Sequence, residues 1–323
     1  MSTVDPDRRL LLASAAGLSL ATLSACHRPE PLVRLAGNAW VGCAPLFLAR
    51  ELGYFSHTKI RLLELPSNSA SLMALASGQV EVAALTLDEV LVATEGQLDL
   101  QVIMVFDESA GADVVMARPG ITRLEQLRGR RIAVESTASG ALMLARTLEA
   151  ARLRPQDVVK VPLAGAPQVS SYASGDVDAV VSFEPFATQL ARLGAVRLLD
   201  SRRFPGVIVD VLAARSQALA DSPGQFRQLL AGYFQALERL QKSPQQSAEL
   251  MSPALGISAG ELLAALQGVH MMTLADNHRL LGGTSPGLRP MAQGVADLML
   301  RSRLLTTRPR LDTLTDARYL PAA

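Results

Sequence analysis

Two short turns carry the residue types best suited to holding a ligand: Ser67-Asn68-Ser69 and Ser136-Thr137-Ala138-Ser139-Gly140. Each opens a segment patterned as a helix, where free N–H groups and the positive end of the helix dipole make a seat for an anion. The same residue types are also ordinary N-caps, so each turn has two readings. Trp40, the single tryptophan, follows an apolar run at Val33 to Leu35 and leads into a helix starting near Pro45. It is either a face for a ligand ring or methylene chain, or a core aromatic. Thr86 caps a helix, faces a cleft, or does both.

The acidic residues complicate an anion site. Asp88, Glu89, Asp107, Glu108, Asp113, Glu135 and Glu184 all lie at or near expected strand ends. If several face one cleft, an amine or an aminopyrimidine is a better ligand than nitrate. Glu81 and Asp178 read as solvated turn residues instead.

Bond-making chemistry finds little support. His57, His270 and His278 lack ligand spacing, with His270 to His278 plus Asp276 the nearest approach to a zinc pattern. No metal or cofactor is expected. At 323 residues, 49% hydrophobic and 19% charged, the chain can bury one large core or two medium ones, and a formal net charge of +1 supplies no field for nucleic acid. The one dense basic cluster, Arg128-Gly129-Arg130-Arg131, reads as a solvated turn.

The elements that must position these residues alternate. Strand-length apolar runs occur at Val80 to Leu85, Leu100 to Phe106, Asp113 to Ala117, Arg131 to Val134, Val158 to Val161 and Ala179 to Phe183. Helical patterns at Ala44 to Leu52, Ser69 to Ser77, Leu87 to Thr94 and Ala141 to Arg152 lie between them. The alternation predicts βα units and mostly parallel sheets covered on both faces. Capping boxes are expected at Thr86 to Glu89 and at Thr122 to Glu125. Beyond about Asp221 the strand signal fades, and Phe226, Leu229, Leu230, Phe234, Leu237 and Leu240 form one helical stripe.

An internal echo organises the chain. "LASGQVEVAALTLDE" (Leu75 to Glu89) and "YASGDVDAVVSFEP" (Tyr172 to Pro185) share Ala-Ser-Gly-x-Val-acid-x followed by a small apolar strand. Each reads as a helix closed by a glycine, Gly78 or Gly175, then a tight turn and a buried parallel strand. Two copies imply two lobes of similar local architecture. Ligands of open α/β sheets bind beyond the carboxyl ends of strands, which places a site near Leu85-Thr86 and Ser182-Phe183-Glu184, between the lobes.

The N-terminus reads as an export segment. Arg8-Arg9 precedes the apolar run Leu10 to Ala25, and Leu23-Ser24-Ala25-Cys26 resembles the lipobox of bacterial lipoproteins, in which the cysteine thiol carries a diacylglycerol. This implies a signal over 1–25, lipidation of Cys26, a tether over 26–32, and a periplasmic or other extracytoplasmic protein anchored to a bacterial membrane. Arg8 to Leu12 also resembles a twin-arginine signal, so both export routes stay open. Cys43 is then left without a disulfide partner.

Four pieces carry a family resemblance. "WVGCAPLFLARELGYF" (Trp40 to Phe55), "NSASLMALASGQVEVAALTLDE" (Asn68 to Glu89), "GADVVMARPGITRLEQLRGRRIAVE" (Gly111 to Glu135) and "ASGDVDAVVSFEP" (Ala173 to Pro185) resemble the periplasmic solute-binding proteins of ABC importers for nitrate, alkanesulfonates, taurine and thiamine-precursor pyrimidines. The resemblance implies an α/β, type II periplasmic-binding-protein fold, with two lobes, a ligand cleft and a helical C-terminal part. Crossings placed in Gly111 to Met116 and Val207 to Leu212 give lobe 1 as 33–112 with 211–323, and lobe 2 as 113–210.

The implied function is capture of a small polar organic solute by hinge closure and delivery to an ABC permease, as a monomer without bond chemistry. The implied ligand set is Trp40, Ser67, Asn68, Ser69, Thr86, Ser136, Thr137, Ser139 and Glu184. Glu184 matches the family's Glu-Pro element, and its competing roles are hinge anchor and helix cap. A ligand-sensing subunit for a membrane signalling protein is the alternative. A pyrimidine synthase of the same fold is more remote, since none of the three lysines lies in a cofactor motif.

Overall fold

The computed structural model describes residues 30–322. The export segment and Cys26 lie outside the described residues. Among the described residues there are eleven strands: β1 (Val33–Gly37), β2 (Ile60–Glu64), β3 (Val82–Thr86), β4 (Leu100–Ser109), β5 (Asp113–Ala117), β6 (Arg131–Val134), β7 (Val159–Pro162), β8 (Ala179–Phe183), β9 (Val196–Asp200), β10 (Val209–Arg215) and β11 (Val269–Met271). Four helices matter for the site: α1 (Ala44–Glu51), α2 (Asn68–Ala76), α3 (Leu87–Glu95) and α4 (Ala138–Ala150).

The strands form two sheets, ordered β11-β4-β10-β3-β1-β2 and β7-β6-β8-β5-β9. Their patterns repeat. β1 is flanked in parallel by β2 and β3, as β6 is by β7 and β8, and one antiparallel strand follows, β10 beside β3 and β5 beside β8. The sheets are therefore mixed, where mostly parallel ones were expected. The exchange of β5 and β10 explains this, because each reaches its sheet from the other and enters against the direction of its neighbours.

The chain leaves the six-stranded sheet over 110–112 and returns over 201–208. The expected crossings overlap these stretches but run on into β5 and β10. β2, β9 and β10 carry no clean apolar run, and the short β11 interrupts a C-terminal third expected to be helical.

The internal echo has a structural cause. Glu81, in the turn before β3, accepts the Arg34 backbone N–H at 2.7 Å, while Asp178, before β8, accepts the Arg131 N–H at 2.9 Å. In each sheet an acidic turn residue thus ties the start of one parallel strand to its neighbour. Both are structural ties, and Glu81 also pairs with the Arg34 side chain.

Helices cover both faces. In the five-stranded sheet, one face packs Ile132, Val181 and Leu199 against Met143, Leu144 and Leu148 of α4, and the other packs Val114 and Val180 against Ala187 and Leu190. The larger core lies on the six-stranded sheet, where the whole expected stripe of the helix Pro223–Lys242 is buried. The cap near Thr122 differs in its acceptor: the Thr122 and Arg123 N–H groups bond to Oε1 of Gln126, at 2.8 and 2.9 Å, and not to Glu125.

Candidate functional site

A narrow cavity of about 20 Å³, room for about one water, lies between the two sheets, at strand ends. From the six-stranded side it is lined by Asn38 after β1, Trp40, Asn68 at the start of α2, Thr86 at the end of β3, and Asp210 in β10. Asp113 of β5, Ser139 of α4 and Phe183 at the end of β8 line it from the other side, and Ile208 from the returning link. Thr86 and Phe183 close the two echoed strands, so the site stands beyond the carboxyl ends where open α/β sheets place ligands.

Trp40 is held in a fixed orientation. Its backbone N–H donates to Asn38 Oδ1 at 2.9 Å, and its indole N–H donates to Asp107 Oδ2 at 3.2 Å. Its ring meets Phe183 edge to face, centroids 5.8 Å apart and planes at 73°. The Asn38 side-chain amide in turn donates to Asn68 Oδ1. Gly42 makes the arrangement possible, because a Cβ there would collide with the Asp107 carboxylate and the indole nitrogen. Trp40 is 5% exposed, so wall and core are both its roles.

Carboxyl groups dominate the surroundings. Asp210 is in register with Thr86 on one side and Asp107 on the other, which sets three polar residues in a row across β3, β10 and β4. Asp113 faces them from the other sheet, and Asp88 and Glu89 are buried in the first turn of α3, next to Thr86. Burial disfavours the charged form of each. It pushes Asp88 up to about 6, and Asp107 and Asp113 up to about 7. Asp210 and Glu89 rise well above the usual carboxylate range, from burial first and from neighbouring carboxylates second. Thr86 Oγ1, Asp107 Oδ1 and Asp113 Oδ2 are shielded from solvent without a hydrogen bond of ordinary geometry.

The expected ligand set divides. Trp40, Asn68, Thr86 and Ser139 line the cavity. Ser67 and Thr137 are N-caps, accepting from the Ala70 and Gly140 N–H groups at 3.1 Å each. Ser136 is exposed, and Ser69 is off the lining, its N–H reaching Glu135 Oε1 at 3.4 Å. Glu184 is buried but turned elsewhere: its carboxylate accepts the Thr188 N–H at 3.0 Å and faces Arg197 at 3.8 Å. Helix capping at the foot of β8 accounts for Glu184, which is not part of the lining. The zinc pattern dissolves too, since the Asp276 carboxylate accepts the Thr273 N–H at 3.0 Å in a capping box and His278 Nε2 contacts the Pro321 carbonyl at 2.9 Å.

Asn38, Ile208 and Asp210 line the cavity without having been singled out in the sequence, and Phe183 was read only as one of the strand ends near the site. Asn38 and Phe183 stand at the ends of strands that were recognised, so strand-end position was the available signal. Asp210 had none, because β10 was not recognised.

The profile of the family described as NMT1/THI5 like matches residues 40–247. The chain belongs to the NMT1/THI5-like family. Among curated relatives, the putative aliphatic sulfonates-binding protein of Escherichia coli (strain K12) is 24% identical over 255 residues, covering 78% of this chain and 77% of that one. Among solved structures, the alkanesulfonate-binding protein SsuA from Xanthomonas axonopodis pv. citri, bound to MOPS, aligns with a TM-score of 0.74 at 20% identity, over 87% of this chain and 96% of that one. The desulfurization enzyme DSZB aligns at 0.65 and 18% identity, over 90% and 98%. This NMT1/THI5-like chain therefore has the periplasmic solute-binding fold, a scaffold that binding proteins and an enzyme share, and its own residues must argue its chemistry.

Proposed function

We propose that the protein is the solute-binding component of an ABC importer. Segments 33–112 with 211–323 form one lobe and 113–210 the other, and they close over a small polar organic solute. The carrying observation is the cavity lined from both sheets by strand-end and helix-start residues, since a solute touching both sides at once stabilises the closed form over the open one. The relative named for sulfonate binding supports the same role. The protein acts outside the cytoplasm as a monomer, tethered through lipid on Cys26, and hands its solute to a membrane permease.

Binding without turnover is favoured by the state of Cys43. It is the free cysteine among the described residues and is 2% exposed. Burial and the nearby Asp210 and Asp107 push its thiol well above the usual range, opposite to what a nucleophilic thiolate needs.

The test combines calorimetry, small-angle scattering and recovery of the solute, using a panel of amines, aminopyrimidines, alkanesulfonates and nitrate. One solute class is expected to bind 1:1, shrink the radius of gyration and come back unchanged. Chemical conversion of the solute, or no binding by any class to well-folded protein, would overturn the reading.

A further inference from the structure

We propose that the cavity selects a small organic cation, carrying ammonium, amidinium or guanidinium N–H donors beside a flat or apolar portion. This rests on the solute-binding reading and names its substrate class. The first ground is charge. Asp113 and Asp210 line the cavity from opposite sheets with Asp107 behind them, and among the described residues no lysine or arginine lines it. In the empty cavity burial holds these carboxyl groups towards their neutral form, and a bound cation would favour the charged form of each and pair with it.

The second ground is a weakly engaged hydroxyl. Thr86 is 4% exposed and lines the cavity, and its Oγ1 sits at the capping box of α3 without a hydrogen bond of ordinary geometry. Beside it, the row from Thr86 to Asp210 to Asp107 presents acceptor oxygens at neighbouring register positions, a spacing that suits a group with several N–H donors.

The third ground is that the anion seat is taken. The start of α2, where an anion would approach backbone N–H groups, already receives the protein's own Glu135 through Ser69. At the start of α4 the Gly140 N–H is taken by Thr137. A carboxylate from the opposite sheet fills one of the seats.

A metal ion fits less well. Among the described residues no three His, Cys, Asp or Glu side chains come together as a ligand group. Trp40, Phe183 and Ile208 offer apolar surface that suits an organic portion, with the Trp40 face available to a cation.

The experiment is calorimetric titration of the full chain with benzamidine, agmatine and benzylamine, beside ethanesulfonate, nitrate and Zn²⁺. At least one organic cation is expected to bind, more than about tenfold tighter than to Asp113→Asn or Asp210→Asn. Both variants should fold, with apo melting temperatures equal to or above the parent's, because each replaces a carboxyl group whose ionisation burial opposes by a neutral amide of nearly the same shape. Saturable binding of ethanesulfonate or nitrate without any of the cations would overturn the cation class and leave the solute-binding reading standing. Zn²⁺ alone, or cation binding indifferent to both variants, would also overturn it. Failure of every probe, with all proteins folded, would count against both readings.

Discussion

Glu135 Oε1 accepts the Ser69 backbone N–H at 3.4 Å, joining the end of β6 in one sheet to the start of α2 beside the other. The contact places an internal carboxylate where a helix start favours an anion, and it bridges the two sides of the cavity. Burial, the largest influence, raises the Glu135 carboxyl, and the N–H and hydroxyl groups around Ser67 to Ser69 oppose that rise.

Glu135→Gln should loosen this bridge and Glu135→Ala should empty the seat. The alanine variant is expected to gain measurable affinity for ethanesulfonate or nitrate in calorimetry, and to enlarge the apo radius of gyration in scattering. An alanine variant with the parent's radius and no anion affinity would show the contact to be incidental.

Trp40→Phe and Trp40→Ala separate the two duties of the indole. Phenylalanine keeps most of the wall but removes the donor to Asp107, costing about 1–3 kcal/mol in chemical denaturation. Alanine also opens a void, and about 3–5 kcal/mol is expected. Solute affinity should fall in both, more in alanine.

Gly42→Ala should cost about 1–3 kcal/mol and weaken solute binding, because the added methyl collides with Asp107 and Trp40. Gly260→Ala is the control. A Cβ there meets nothing, and the position lies inside the helix Ala259–Leu266, so it should be neutral or slightly stabilising. Equal melting temperatures for parent and Gly42→Ala would contradict the packing described around the cavity.

The apo protein should lose stability as pH rises from about 4 to about 7. Asp88 near 6, and Asp107 and Asp113 near 7, stay protonated in the folded chain after their unfolded counterparts have ionised. The unfolded state then binds fewer protons, so the slope of unfolding free energy against pH is negative in this window. Asp210, Glu89 and Glu135 act in the same direction, and Cys43 and Tyr233 near Asp107 stay neutral there. The ion-paired Glu261, held near 2, contributes the opposite slope only at lower pH. Denaturation at several pH values checks this. Asp107→Asn should flatten the slope, and a bound cation should reverse it.

How much was legible depended on range. Asp113–Ala117, Arg131–Val134 and Ala179–Phe183 are strands with the limits read in the sequence, because their side chains are buried on both faces and the apolar run is unbroken. β2 and β9 carry Arg61 and Arg197 within short apolar stretches and occupy outer positions, where one face meets solvent and the pattern weakens. Trp40, Asn68, Thr86 and Ser139, which line the cavity, were legible because strand ends and helix starts are local features. Asp210 enters the site through its register with Thr86, and Glu135 fills the α2 start from the opposite sheet. Neither relationship leaves a local trace. Glu184 was misplaced because the Glu-Pro element identifies a position along the chain and says nothing of where its carboxylate turns.

The most direct measurement is a crystal structure of the protein with benzamidine, or with whichever organic cation binds best in solution. The amidinium or ammonium nitrogens are expected within hydrogen-bond distance of Asp113, Asp210 and Thr86 Oγ1, with the organic portion between Trp40 and Phe183. An empty cavity with the cation elsewhere, or an anion held there by the α2 and α4 starts, would contradict the account.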